Sequence, residues 1–254
     1  EINIGDWSSD VCSSDLLDAA IKGLTKKPET NVQQPIDVSK LSIGSIARQT
    51  HTGRSIKPSV TVRYGSKVLR AGTDYTLTYK NNVNPGKAQL ILTGKGGYKG
   101  SITKTFVIAA KKGKIYTVGD YQYRVLNSSV KSGTVRFLKP VKRTLKKARI
   151  LSSVKIGNYS YKVTEIGKEA FKNNKKLTSV IIDKNVKVIH SYAFSGAKQL
   201  KSITVKSKVL NKVYKNTFKN IHKRAVIRVP SSKLRAYKKL MANKGQSKTV
   251  VIRK

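Results

Sequence analysis

Enzymatic chemistry needs side chains that hold a proton, a metal or a reactive electron pair, and in this 254-residue chain they are sparse. The three histidines, His51, His190 and His222, are too few and too scattered to form a ligand set. His51 falls in a polar turn, His190 beside an apolar repeat position and His222 in a turn before a helical pattern, so each reads as a surface or loop histidine. Glu165 and Glu169 are four apart and would share one face of a helix. Lys162, Lys168 and Lys172 surround them, so ion pairing is the expected role. The stretch GKGGYKG, residues 94–100, lies between strand-like segments with no helix after it, and reads as a turn rather than a phosphate cradle. No paired carboxylates have glycosidase character. The chain is therefore expected to be no enzyme and to use no cofactor or metal.

Charge is what remains. Lys and Arg number 53 against 12 Asp and Glu, a net charge of +41. From Lys111 onward there are 38 basic residues and four acids, Asp120, Glu165, Glu169 and Asp183, with no acid after Asp183. Such a field attracts polyanions of any kind, whether nucleic acid, teichoic acid, sulfated glycan or anionic bilayer. Nucleic acid is the poorest of these candidates, because no recognition helix or stacking motif accompanies the charge.

The elements that must position these cations follow from a repeat. VTEIGKEAFKNNKKLTSVIID from Val163 aligns with VKVIHSYAFSGAKQLKSITVK from Val186 at a shift of 23, pairing Ile166 with Ile189, Phe171 with Phe194 and Leu177 with Leu200. A third copy follows at a shift of 24 with Val213, Phe218, Ile227 and Val229, and Arg224 stands where the earlier leucines stood. Such periods predict a leucine-rich-repeat solenoid, each copy supplying one strand and a turn that points the Phe of AF inward. Basic residues recur at the outward offsets: Lys172, Lys175 and Lys176, then Lys198 and Lys201, then Lys215, Lys219, Lys223 and Arg224. Stacked repeats would bring several of these together as a polyanion-binding ribbon. Acids would solvate a surface equally well, so their near absence favours that role.

After the repeats, Pro230 and Ser231 start a helix with Leu234, Tyr237, Leu240 and Met241 on one face, Gly245 stops it, and TVVIR closes the core as a strand. The IG..AF..N..L..V.I spacing resembles the BspA-like class of leucine-rich repeats, found in exported bacterial proteins and some protists. The resemblance implies a binding solenoid from about Ala148 to the C-terminus, with Lys254 expected as the natural last residue.

Upstream, residues 39–109 hold PSVTVRY, KVLRAGTDYTLTY, KAQLILTG and SITKTFVIA, separated by Gly, Asn and Pro turns. That pattern predicts an antiparallel β-sandwich. GTDYTLTYKNN and GKGGYKG resemble a small Ig-like module of large exported surface proteins of Gram-positive gut bacteria, where it serves as a spacer and brings no catalytic residues. Tyr75, Tyr79 and Tyr98 read as core and edge aromatics. Residues 110–145 are expected to form a β-hairpin connector and 17–38 a linker. No run is long enough to cross a membrane. DWSSDVCSSDL, residues 6–16, holds the only Trp and Cys and back-translates to a string resembling a sequencing adapter, so residues 1–16 are set aside as an artefact. Without Cys12 there is no disulfide or thiolate chemistry.

The fold class expected is mainly β: an Ig-like sandwich, then a short solenoid of residues 146–254 with a helix and strand cap. The function expected is that of a secreted or cell-surface binding module, contacting protein, glycan or anionic wall polymer. The alternative is that these are accessory modules of an exported hydrolase whose catalytic domain lies upstream.

Overall fold

Segments that alternate apolar and polar residues become strands with one face in a core. In a computed structural model describing residues 33–254, nine such strands lie between residues 36 and 109. They are β1 (Ile36–Asp37), β2 (Ser42–Ile43), β3 (Gln49–Thr50), β4 (Val62–Tyr64), β5 (Lys67–Val68), β6 (Tyr75–Lys80), β7 (Gly86–Gly94), β8 (Tyr98–Lys99) and β9 (Ser101–Ala109). The adapter-like segment, with Trp7 and Cys12, and most of the 17–38 linker lie outside the described residues.

A four-stranded sheet, β3-β9-β7-β6, and a three-stranded one, β2-β4-β5, share one core of Val62, Leu69, Tyr75, Leu90, Leu92, Phe106 and Ile108. Two short pairings, β3 with β9 and β1 with β8, are parallel, where a purely antiparallel sandwich is the sequence expectation. Tyr75 and Tyr98 are buried, and the Tyr79 hydroxyl donates to the Pro58 carbonyl at 2.8 Å.

The chain continues as a meander of β10 (Ile115–Val118), β11 (Tyr121–Asn127) and β12 (Thr134–Pro140). Then follow β13 (Lys147–Ile150), β14 (Ser153–Ile156), β15 (Tyr159–Ile166), β16 (Ser179–Ile182), β17 (Val188–Ile189), β18 (Ser202–Val205), β19 (Lys212–Val213), β20 (Val226–Arg228) and β21 (Val251–Arg253). These build two ladders. One is β13-β16-β18-β20-β21, parallel throughout. The other runs β10-β11-β12-β15-β17-β19 and is parallel from β12 onward.

Each copy thus supplies two strands rather than the single strand read from its sequence. The second is only two residues long, as in Val188–Ile189, and too short to show alternation. It exists because a rung on either side supplies its partners. Residues 110–145, expected as a β-hairpin connector, form the three-stranded meander, whose β12 pairs with β15 and whose Tyr123, Val125, Val135 and Phe137 belong to the repeat core.

That core is organised on a spine of rings. Phe137, Phe171, Phe194 and Phe218 stack in order, with centroids 5.2, 5.5 and 6.0 Å apart and planes within 17°. The turns carrying them place residues at equivalent positions in the left-handed region: Glu169, Tyr192 and Asn216 at φ near +60°, and Asn173, Gly196 and Asn220 four residues later. At Gly196 a Cβ would meet the Asn173 side-chain amide, which would have to move aside. At Arg224 the chain slips by one: Arg224 points outward, and Ala225 and Ile221 fill the core beneath it.

The helix α1 (Leu234–Met241) follows a 3-10 turn at Ser231–Lys233 and covers the last rung with Tyr237 and Met241. The Tyr237 hydroxyl donates to the Ser207 carbonyl and accepts from the Leu210 amide, both at 3.0 Å. No helix among the described residues is long and apolar enough to cross a membrane.

Candidate polyanion-binding face

Between one ladder and the next, each repeat passes through the AF turn, and successive turns are tied in register. Phe171 N donates to Ala193 O, Asn173 N to Ser195 O, Phe194 N to Thr217 O, and Gly196 N to Lys219 O. This stacking fixes where the nine candidate cations lie. Lys172, Lys175, Lys176, Lys198, Lys215, Lys219, Lys223 and Arg224 all belong to the AF-turn side of the solenoid, with Lys201 where the turn enters β18. All nine are exposed.

They do not make an unbroken ribbon. Lys175 and Lys198 occupy equivalent positions on adjacent rungs, about 4.8 Å apart along the ladder. Lys172 and Lys219 are separated by a rung bearing Ser195, and Lys176 and Lys223 by one bearing Gln199. Lys172 is also partly neutralised: its ammonium lies 3.0 Å from Glu169, whose carboxyl is held below its ordinary range by that hydrogen bond.

The acids of the repeats are matched one by one to cations. Arg149 grips Asp183 through Nε and Nη2 at 2.9 and 3.3 Å. Glu165, on β15 rather than a helix, accepts from Arg136 Nε at 2.7 Å and contacts His190 Nε2 at 2.7 Å. Burial would raise the Glu165 carboxyl, but the hydrogen bonds from His190 and Arg136 outweigh it and hold the carboxyl low. His190 stacks on Tyr214 with centroids 5.1 Å apart, and Lys212 lies over the same Tyr214 ring. Among the described residues no three His, Cys, Asp or Glu side chains gather as a metal site.

His51 is not the exposed turn residue expected from its polar neighbours. It is buried where the sandwich meets the meander, with Nδ1 2.7 Å from the Tyr116 hydroxyl, and desolvation followed by the Lys114 charge lowers its pKa. His222 stays local, its Nδ1 accepting from the Arg224 amide.

Two clefts are lined by further cations, one away from the AF turns and one bordering the first AF turn through Lys168, Glu169, Lys172 and Asn173. One of about 640 Å³ is bounded by Arg149, Lys184, Lys206 and Lys208. The other, about 530 Å³, holds Lys139, Arg143, Lys168 and Lys172. The shift of 23 that aligns the core also sets Asp183 beside Lys206. That alignment was the available signal for the first cleft, and counting only the AF offsets passes over it. The second draws on the meander, which has no repeat period to reveal it.

Residues 143–254 match, in six copies, the BspA type leucine rich repeat region. Among curated proteins nothing matches the chain. Of solved structures, a leucine rich cell surface protein from Faecalibacterium prausnitzii is similar at 21% identity over 57% of this chain and 44% of that one, with a TM-score of 0.41. A leucine-rich repeat protein from Bacteroides capillosus is similar at 22% identity, over 55% of this chain and 98% of that one, with a TM-score of 0.44. This chain therefore spans less than half the length of the first.

Proposed function

We propose that this chain, with its BspA-type repeats at residues 143–254, is a non-catalytic binding part of a secreted or cell-surface protein of a Gram-positive bacterium. In this reading an Ig-like module of residues 39–109 acts as a spacer, and the repeats, joined to it through the 110–145 meander, present a basic side to anionic wall polymer or host glycan. The observation that carries it is the pairing of Glu165, Glu169 and Asp183 with Arg136, Lys172 and Arg149, which leaves the remaining turn lysines without ion-pair partners among the described residues. Charge excess of one sign on a rigid, repeated surface favours multivalent anions, whose many weak contacts add.

Retention on immobilised heparin and on wall teichoic acid, eluted with rising salt, tests this. Lys175→Glu with Lys198→Glu is expected to lower the eluting salt concentration on both supports. Retention that ignores ionic strength, or an unchanged elution of the double variant, would remove the electrostatic role of this face.

A further inference from the structure

We infer that the cleft between the sandwich and the first repeat hairpin is a binding site for a neutral, hydroxyl-rich ligand, a saccharide segment. The cleft is open to solvent and measures about 750 Å³, within the range of about 300–1,000 Å³ usual for small-ligand sites. Its lining departs from the rest of a chain with net charge +41: amides from Asn81, Asn84, Gln89 and Asn158 and the hydroxyl of Thr105 face it, and Lys87 is its only ionisable residue.

A carboxamide donates and accepts without net charge, which matches the donor and acceptor pairs of sugar hydroxyls and costs less to desolvate than a charge. Most of these groups are uncommitted. Among the described residues no intramolecular hydrogen bond occupies the side chains of Asn81, Asn84, Gln89 or Thr105, or Asn158 Nδ2. Asn158 itself is oriented, because its Oδ1 accepts from the Lys87 amide at 3.0 Å.

The walls are held in place rather than assembled by the ligand. Gly157 sits against the Pro85 carbonyl so closely that a Cβ would overlap it, and a Cβ on Gly86 would strike the Asn158 amide. A second tie runs from His51 to the Tyr116 hydroxyl, which also accepts from the Lys111 amide at 3.0 Å. The floor is Gln89 on β7 facing Thr105 on β9. At Gln89 β7 is paired on both sides, to Lys80 and to Thr105, while β9 at Thr105 is paired on the β7 side alone. A neutral peptide adding to that β9 edge is the competing occupant; the amides of Asn84 and Asn158, which stand in turns away from the edge, favour the saccharide.

The test is binding of neutral cello-, chito-, manno- and malto-oligosaccharides to the full chain at about 1 M salt, where the screening length is about 3 Å and polyanion attraction is suppressed. At least one is expected to bind. Asn84→Ala with Gln89→Ala, and separately Asn158→Ala, are expected to weaken it about tenfold. Lys175→Glu with Lys198→Glu should leave it unchanged. Absence of binding across the set, or affinity indifferent to the cleft variants, would overturn the site, as would displacement of the sugar by a neutral peptide. None of these outcomes alters heparin retention at low salt, which tests the separate role of the AF-turn side.

Discussion

Tyr123 and Tyr161 lie in the same core and differ by one hydrogen bond. The Tyr161 hydroxyl accepts from the Ala110 amide at 3.3 Å, while the Tyr123 hydroxyl, equally buried, has no partner among the described residues. Burial pushes both phenols up, with nothing to offset it at Tyr123. Tyr123→Phe removes an unsatisfied polar atom and is expected to raise stability by about 1 kcal/mol, whereas Tyr161→Phe should lower it by a similar amount. Urea denaturation of the two variants checks this. Glu165 gives a pH dependence. Its carboxyl is held low in the folded chain, so its contribution is complete above the ordinary carboxylate value and is lost as pH falls through the lower folded value. Glu165→Gln should cost about 1 kcal/mol at neutral pH, the groups being partly exposed, and the gap to the parent should close in thermal melts toward pH 3.

At the scale of elements, the ring spine makes Phe194→Ala expensive, by about 3–5 kcal/mol. Phe137 stacks on the same spine from β12, so Phe137→Ala is expected to destabilise the repeats comparably. A repeat transition untouched by that substitution would separate the meander from the solenoid. Sequence periodicity exposed Ile166, Ile189, Phe171 and Phe194, because equal offsets repeat equal environments. Phe137 escaped it, since its place in the stack comes from an antiparallel meander with no AF motif. The second ladder was hidden for another reason: Val188–Ile189 is a strand only because its neighbours are. Burial of His51 depends on Tyr116, 65 residues away, which no local pattern encodes. The nine cations were legible as exposed positions, but the Ser195 and Gln199 interruptions emerge only when the rungs are stacked. The cleft between sandwich and hairpin joins Asn84 and Gln89 to Asn158, residues of no common motif.

Over the whole molecule, a net charge of +41 sets every surface against every other. Self-repulsion destabilises the folded state at low ionic strength, so Tm is expected to rise as salt increases from about 10 mM to about 150 mM, where screening shortens from about 30 Å to about 8 Å. A falling Tm over that range would mean that the few ion pairs, Arg149 with Asp183 among them, outweigh the repulsion. The parallel ladders carry a mechanical consequence as well. Their inter-rung hydrogen bonds point along the solenoid axis, so tension applied between the sandwich and the last strand loads the rungs in series and peels them one at a time. Each rung released would pay out a loop of 23 or 24 residues, about 80 Å of slack, while the remaining rungs stay closed. Under shear the repeats would act as an extensible tether, lengthening in steps before they let go.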